Sequence, residues 1–198
     1  MTKGELDIPT ISLKITGRNP MLMHSERGVN VLDPDVKRKK AITGKRKKTD
    51  DDLADIARLE WEISLYWDEA IGPFIPGQNV EACIVEGAKL EKRGKDIARG
   101  CSVIEDRIKL EYKGPRDKEK MWAAGKFSDI RSVGQQNVRI MRCRPIFHEW
   151  AASFTIAYDK EIFDPADLIR IIEKAGKYAG LGDFRRRFGR FDVEVIKQ

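Results

Sequence analysis

Three consecutive arginines stand between glycines in GLGDFRRRFGR, positions 180–190. A guanidinium group offers five N–H donors in a planar fork that matches phosphate oxygens, and glycine permits positive φ angles and close approach of the backbone to a ligand. Successive residues of an extended backbone point to opposite sides, so one or two of these arginines are expected to reach a ligand. The alternative is a glycine-capped helix end with solvated arginines. The predicted contacts are Gly180, Gly182, Arg185, Arg186, Arg187, Gly189 and Arg190.

A second cationic segment, KRKKAITGKRKK, contains eight Lys or Arg residues among twelve. With Ala41 and Ile42 as its only apolar members, it is predicted to stay in water as part of a flexible basic insertion at about 34–50. A mobile cationic loop of this kind could clamp a phosphate backbone; alternatively, it only keeps the protein soluble. The candidate contacts are Lys37, Arg38, Lys39, Lys40, Lys45, Arg46, Lys47 and Lys48.

A third segment, IPGQNVEACIVEGA at 75–88, turns through Pro76 and Gly77 directly into a helical pattern. Backbone N–H groups at the start of a helix can hold a phosphate without reading a base. Gln78 and Asn79 are suitable helix caps or base-contacting groups. The alternative is a turn that only connects two elements.

Composition narrows the class of protein. Among 198 residues, 38 Lys and Arg outnumber 32 Asp and Glu, and the net charge of +6 is compatible with a nucleic-acid partner. Three cysteines without a C-x-x-C spacing suggest neither a disulfide framework nor a cysteine metal site, and no metal or cofactor is predicted. The sequence has no run of apolar residues long enough to span a membrane, so we expect a soluble cytoplasmic protein.

The elements that must position these segments follow from apolar periodicity. Residues 8–17 alternate as a strand, and residues 104–112 and the end of the chain do the same. Residues 138–158 predict two strands that are split at Arg144 and Pro145. Helices are predicted at 49–66, 78–93 and 164–180. No repeat or shift in composition divides the chain, so we expect one domain over 1–198, with an antiparallel sheet and helices on one face.

Aromatic side chains on loops are candidates for stacking on bases. Trp67, Trp122 and Phe127 lie in polar, loop-like contexts and are therefore predicted to be available. Trp61 lies within a predicted helix and Trp150 within a predicted strand, where burial is expected.

Together, three segments resemble elements of the RAMP superfamily, the RRM-like proteins that form the crRNA-binding backbone and the guide-processing ribonucleases of CRISPR systems. NPMLMHSERG at 19–28 is similar to that family's Pro-Leu-His-x-Gly element after the first strand. IPGQNVEACIVEGA is similar to its I-P-G element, and GLGDFRRRFGRFDVEV to its C-terminal glycine-rich loop. The last segment also resembles the endings of phage-encoded proteins. The resemblance implies an α+β, RRM/ferredoxin-like domain with long inserted loops.

The resemblance also suggests two catalytic candidates. Asp33 occupies a place comparable to an acidic residue of the backbone subunits that cut target RNA, and Asp35 and Glu26 are near it in sequence. A loop carboxylate can bind a divalent metal or orient a 2′-hydroxyl, although Asp-Pro-Asp is also ordinary turn chemistry. His24 lies where the family often has a histidine and could act as a general acid or base without metal. His148 is expected to be a packing or surface residue.

Three functions remain open at this level. The first is binding of single-stranded nucleic acid, RNA rather than DNA, through phosphate contacts with little sequence preference, with copies assembling side by side along the strand. The second is an endoribonuclease that uses Asp33 with a metal or His24 without one. The third is a protein-binding module that mimics or occupies a backbone-subunit slot in a larger complex.

Overall fold

The computed structural model describes residues 8–135, 138–185 and 187–197, so the predicted contact Arg186 lies outside the described residues. A 3₁₀ turn covers Glu26–Val29 and a π turn covers Ala175–Ala179. The strands are β1 (Thr10–Gly17), β2 (Met21–Leu22), β3 (Trp67–Asp68), β4 (Gly72–Pro76), β5 (Cys101–Val103), β6 (Arg107–Glu111), β7 (Ser128–Gln135), β8 (Val138–Phe147), β9 (Ala151–Tyr158) and β10 (Phe191–Lys197). The helices are α1 (Pro34–Thr43), α2 (Asp50–Ser64), α3 (Gly77–Lys89), α4 (Gly94–Gly100), α5 (Lys118–Ala123) and α6 (Pro165–Lys174).

The central unit of the fold is an antiparallel sheet with two long helices. β1 lies between β10 and β9, and the other side of β9 pairs with β5 along one half and with β6 along the other. α3 lies between β1 and β5 in the chain, and α6 joins β9 to β10. The order β10-β1-β9-β5/β6 is the βαββαβ arrangement of ferredoxin-like domains. The predicted α+β fold class is therefore confirmed.

The two faces of this sheet differ in chemistry, as the alternation in β1 predicts. Ile11, Leu13 and Ile15 are buried in the apolar core that also contains residues of α3 and α6. On the outer face, Ser12 lies 3.2 Å from Thr155, measured between the hydroxyl oxygens. In β1 and β9, both described along their whole length, the outer face carries no aromatic side chain. These two strands therefore offer no aromatic surface on which a base could stack.

Two long connections build a second layer of structure. The segment between β1 and α3 contains β2, α1, α2, β3 and β4, and the segment before β9 contains α5, β7 and β8. β2, β8 and β7 form a separate three-stranded sheet. The predicted break at Arg144 and Pro145 is wrong, because β8 continues through both residues. Pro145 lacks an N–H, but its carbonyl still accepts a hydrogen bond from the N–H of Met23 at 3.0 Å.

The basic segment after β2 also differs from its prediction, since most of it is the helix α1 and not a loop. Asp33 caps the helix by accepting hydrogen bonds from the N–H groups of Asp35 and Val36. Ile42 is buried in a small cluster against Leu59 and Ile63 of α2. Ion pairs reinforce this contact because α2 presents acidic side chains to the cations: Lys39 with Glu60, Lys45 with Asp52 and Arg38 with Asp55.

Candidate nucleic-acid interface

The glycine-rich loop that follows α6 lies across the chain just after β1. The N–H of Gly189 donates to the carbonyl of Pro20 at 2.9 Å, and the N–H of Asp183 donates to the carbonyl of Leu22 at 2.8 Å. Within the loop, the N–H of Leu181 donates to the carbonyl of Gly189 at 2.9 Å. Backbone hydrogen bonds thus join the glycine-rich loop to the segment at 19–28, two stretches that were identified separately in the sequence.

Close backbone contacts explain why glycine occupies two positions of this loop. Gly182 and Gly189 have φ angles of 77° and 74°, in the left-handed region that favours glycine. A Cβ on Gly182 would lie 2.2 Å from the carbonyl oxygen of Leu22, and one on Gly189 would lie 1.8 Å from that of Leu181. Both distances are shorter than contact allows, so a side chain at either position would force the loop away from its seat.

A small cavity of about 240 Å³ lies where three segments meet, those at 19–28, 75–88 and 180–190. His24 comes from the segment after β2, Asn79 from the start of α3, and Arg185 from the glycine-rich loop, where its side chain is exposed. The cavity brings together predicted residues from all three segments. Its lining consists of His24, Tyr66, Asn79, Ala82, Gly180, Leu181, Gly182, Asp183 and Arg185.

A second cavity of about 490 Å³ shares His24 and Tyr66 with the first. We call the two cavities together the groove. Lys39, Arg142 and Arg144 also line the second cavity. The acids of the groove are engaged: Glu60 pairs with Lys39 and Arg142, Asp183 pairs with Arg144 at 3.1 Å, and Glu26 accepts the Tyr66 hydroxyl hydrogen at 3.0 Å.

Glu60 is the buried acid that holds two cations of the groove, Lys39 and Arg142, in place. Its carboxylate lies 2.8 Å from Lys39 Nζ and 2.6 Å from Arg142, and it accepts the N–H of Cys143 at 3.0 Å. Burial by itself would raise the pKa of Glu60, but Lys39, the Cys143 N–H and Arg142 outweigh it and hold the pKa below its ordinary value. Glu60 therefore ties α1 and β8 to α2 as a carboxylate.

Glu60→Gln is expected to lower the free energy of unfolding by about 2 kcal/mol at neutral pH, since two partly buried cations lose their charged hydrogen-bond partner. A carboxylate with a lowered folded-state pKa stabilises above its unfolded pKa, and this contribution is lost as the pH falls through the folded-state pKa. The difference between the proteins should therefore shrink in acid. Urea unfolding as a function of pH measures it. Asp55→Asn, which breaks an exposed pair on the same helix, should change stability by less than about 0.5 kcal/mol; equal losses would contradict this role.

His24 combines exposure to the groove with a perturbed titration. Partial desolvation of the ring, together with Arg144 and Arg142, lowers the pKa of His24 below its ordinary value despite the opposing charge of Asp183. Its Nδ1 lies 3.3 Å from the hydroxyl oxygen of Ser64. At neutral pH the ring is therefore uncharged and presents one donor and one acceptor.

Asp33 lies in a different environment and lines neither cavity of the groove. The Asp33 carboxylate caps α1, as described above, and also pairs with Arg27 at 2.8 Å. Burial would raise the pKa of Asp33, but Arg27 and the α1 N–H groups outweigh this and lower it. Asp35 shares the same Arg27 guanidinium. Within the described residues, no group of three or more His, Cys, Asp or Glu side chains is placed to hold a metal ion.

The start of α3 separates the two residues that were predicted together. Asn79 lines the groove, where its amide donates to the Tyr66 hydroxyl at 3.3 Å, whereas Gln78 lines another cavity between α3 and α4. Neither caps the helix, which begins at Gly77. The N–H of Gly77 donates to the carbonyl of Asp106 at 2.9 Å, so it is not offered to a ligand.

Two other described arginines of the glycine-rich loop, Arg187 and Arg190, hold the loop through their backbones. The carbonyl of Arg187 accepts a hydrogen bond from the Asn19 side chain at 2.9 Å, and that of Arg190 accepts the N–H of Arg18 at 2.7 Å. The side chain of Arg187 is exposed, whereas Arg190 is half-buried. Arg185 and Arg187 are thus the exposed cations among the described arginines at 185–190.

The aromatic predictions are partly wrong. Phe127 is buried, and its carbonyl accepts the indole N–H of Trp61 at 2.8 Å, so it is not available for stacking. Trp67 and Trp122 are half-buried, and a cationic side chain lies over each ring. The expected burial of Trp61 and Trp150 is confirmed.

Several residues of the groove were not identified from the sequence, among them Glu60, Tyr66, Arg142 and Arg144. Tyr66 follows the last turn of α2, and Arg142 and Arg144 belong to β8. Arg142 and Arg144 are separated by one residue in a strand and therefore share a face, which is the one local signal that pointed to a cationic row. Nothing in their sequence neighbourhood indicated a partner in the glycine-rich loop.

Comparisons with known proteins support the fold. No family model and no curated protein match the sequence. Among solved structures, the chain is similar to one chain of a structure described as the cryo-EM structure of the type III-B Cmr-beta bound to cognate target RNA. The TM-score is 0.50 at 13% sequence identity, and the match covers 95% of this chain. It covers 60% of the other chain, so this protein spans less than two thirds of that length. Within the described residues, no helix is long and apolar enough to cross a membrane.

Proposed function

We propose that this protein binds single-stranded nucleic acid, RNA in preference to DNA, along the groove. The observation that carries the proposal is the convergence of the three segments on one surface, with the acids of that surface already engaged by other groups. Arg185, exposed at one end of the groove, supplies a phosphate-binding fork. Backbone contacts of this kind hold a strand without reading its sequence.

The basic segment extends this surface. Of its eight cations, Arg38, Lys39 and Lys45 form ion pairs with α2. Within the described part of the chain, the others have no ion-pair partner and are exposed, and Lys48 donates to the carbonyl of Lys45. These exposed cations are free to release counterions from a phosphate backbone. They are Lys37, Lys40, Arg46, Lys47 and Lys48.

The fold adds support for RNA as the ligand. A protein of similar fold belongs to an assembly described as bound to target RNA. By the same similarity, we propose that residues 1–198 act as one domain and that copies assemble side by side along a strand. Size-exclusion chromatography with and without RNA measures this assembly, and a mass that does not increase with RNA length would contradict it.

Arg185→Ala is expected to weaken binding of a fluorescein-labelled RNA of about 16 nucleotides roughly tenfold at low salt, because one charged phosphate contact is lost. Fluorescence anisotropy between about 50 and about 200 mM salt should give a steep salt dependence for the wild type, with a slope lower by about 0.7 in the variant. Arg99→Ala removes another exposed arginine, which belongs to α4 and lines a different cavity, and should leave affinity unchanged. Affinity that does not respond to salt would contradict the proposal.

His24 justifies one test of the ribonuclease alternative, because its uncharged ring lies in the groove. The labelled RNA is incubated with wild type, His24→Ala and Asp33→Ala proteins, with and without Mg²⁺, and separated on a denaturing gel. Intact RNA in every lane is expected for a binding protein. Cleavage that either substitution abolishes would show an enzyme, and a protein without affinity for RNA or DNA would favour the protein-binding module.

A further inference from the structure

Phe184 differs from the other phenylalanines of the glycine-rich loop. Phe188 and Phe191 are 6% and 2% exposed, whereas Phe184 is 52% exposed. Its φ angle is 50°, and Lys92 is the other non-glycine residue with positive φ among the described residues. The left-handed region is unfavourable for a residue with a Cβ. The fold therefore holds an exposed aromatic ring in a conformation that glycine would adopt more easily.

The backbone around Phe184 is fixed on both sides. Its N–H donates to the Asp183 carboxylate at 2.8 Å, and its carbonyl accepts the N–H of Phe188 at 3.3 Å. Asp183 is itself bound to Leu22 through its N–H and to Arg144 through its side chain. The outward position of the ring thus follows from contacts of the whole loop and not from burial of the ring.

The ring also extends an existing stack. The guanidinium of Arg131 lies 4.7 Å from the ring centroid of Phe188, and the Phe188 and Phe184 centroids are 5.9 Å apart with the planes tilted by 35°. Phe184 is the exposed end of this row. The next residue, Arg185, lines the groove where the proposed phosphate contact lies.

We propose that Phe184 stacks on an unpaired base of the strand whose backbone is held at Arg185. This inference rests on the proposed function and makes its ligand more specific. An internal base of a duplex already has a base above and below it, so away from the duplex ends an exposed protein ring can stack only on a base that is unpaired or splayed out. Phe184 therefore selects single-stranded over double-stranded nucleic acid.

The test uses Phe184→Gly, which removes the ring and also relieves the positive φ angle. Its thermal midpoint should equal or exceed that of the wild type, while its affinity for single-stranded RNA falls about tenfold. Affinity for a duplex of the same length should not change. Phe184→Trp keeps an aromatic ring and should keep the affinity. Tyr178→Ala removes a half-exposed ring from a separate cavity beside β10 and should leave the affinity for single-stranded RNA unchanged.

An abasic oligomer with the same sugar-phosphate backbone completes a double-mutant cycle. The wild type should bind this oligomer about tenfold more weakly than RNA, and Phe184→Gly should reduce affinity for it no further. Equal losses on RNA and on the abasic oligomer would overturn the stacking assignment, as would unchanged affinity of the variant for RNA. If the wild type bound no RNA at all, the proposed function would fail first.

Discussion

Gly189→Ala is expected to lower the free energy of unfolding by about 3 kcal/mol or more and to remove most RNA affinity. The added methyl group would lie 1.8 Å from the carbonyl oxygen of Leu181. The alanine would also have to adopt a φ angle of 74°, which is unfavourable for a residue with a Cβ. Steric overlap with the backbone cannot be relieved by a rotamer change. The loop must therefore move and lose its backbone hydrogen bonds to Pro20 and Leu22. Thermal unfolding should show a decrease of about 6–12 °C for a protein of this length.

Gly125→Ala separates the effect of the positive φ angle from the effect of the steric contact with Leu181. Gly125 also has a positive φ angle, 68°, but a Cβ there would meet nothing within 4 Å. This control should lose only the conformational term of about 1 kcal/mol and should bind RNA normally. Similar losses of stability in both variants would show that the φ angle, and not the contact with Leu181, determines the requirement for glycine. If the Gly189→Ala protein lost stability but bound RNA normally, the glycine-rich loop would not be part of the proposed interface.

Neutralising four cations of the basic segment that form no ion pair within the described residues is expected to weaken binding of single-stranded RNA about 100-fold at low salt. Each phosphate contact to a single strand contributes about 0.7 to the slope of log affinity against log salt, so the slope should fall by up to about 2.8. Anisotropy titrations across a salt series measure both quantities. The variant replaces Lys37, Lys40, Arg46 and Lys47 by Gln.

A second quadruple variant controls for net charge. It removes four exposed cations around α4 and the turn before α6, which have no ion pair within the described residues. The two variants lose the same charge, but only the first loses it in the basic segment, whose Lys39 lines the groove. The control should reduce affinity less than tenfold and leave the slope nearly unchanged. Equal effects would mean that the protein attracts RNA through net charge alone. The control positions are Lys92, Lys95, Arg99 and Lys160.

Local signals in the sequence were reliable where they depended on a few neighbouring residues. Thr49 begins α2 with a capping box that includes Asp52, and Asp164 with Pro165 begins α6. The alternation of apolar residues placed β1 and β10. Caps and periodicity are properties of short stretches of chain, so they are visible without a tertiary structure. The unpredicted elements α4, α5 and β7 are short or polar and carry weaker patterns.

The basic segment shows how a partner changes such a prediction. Eight cations and little apolar surface argue for a loop when the segment stands alone. In the folded chain, Val36 and Ile42 pack against α2, whose acidic side chains pair with three of the cations. A helix that is unfavourable by itself becomes stable when another element packs against it and neutralises part of its charge. The helix therefore depends on residues that lie beyond the segment itself.

The sequence by itself determined the main elements of the ferredoxin-like unit and pointed to the segments that carry Arg185, Asn79 and His24. Tertiary structure decided that these three segments meet at one groove, that Arg144 engages Asp183, and that Phe184 faces outward. Contacts between residues far apart in sequence depend on how separate elements pack, and no local pattern encodes that packing. Composition and periodicity reveal which residues are suited to an interface, whereas the closing of the glycine-rich loop onto the chain after β1 determines which of them share it.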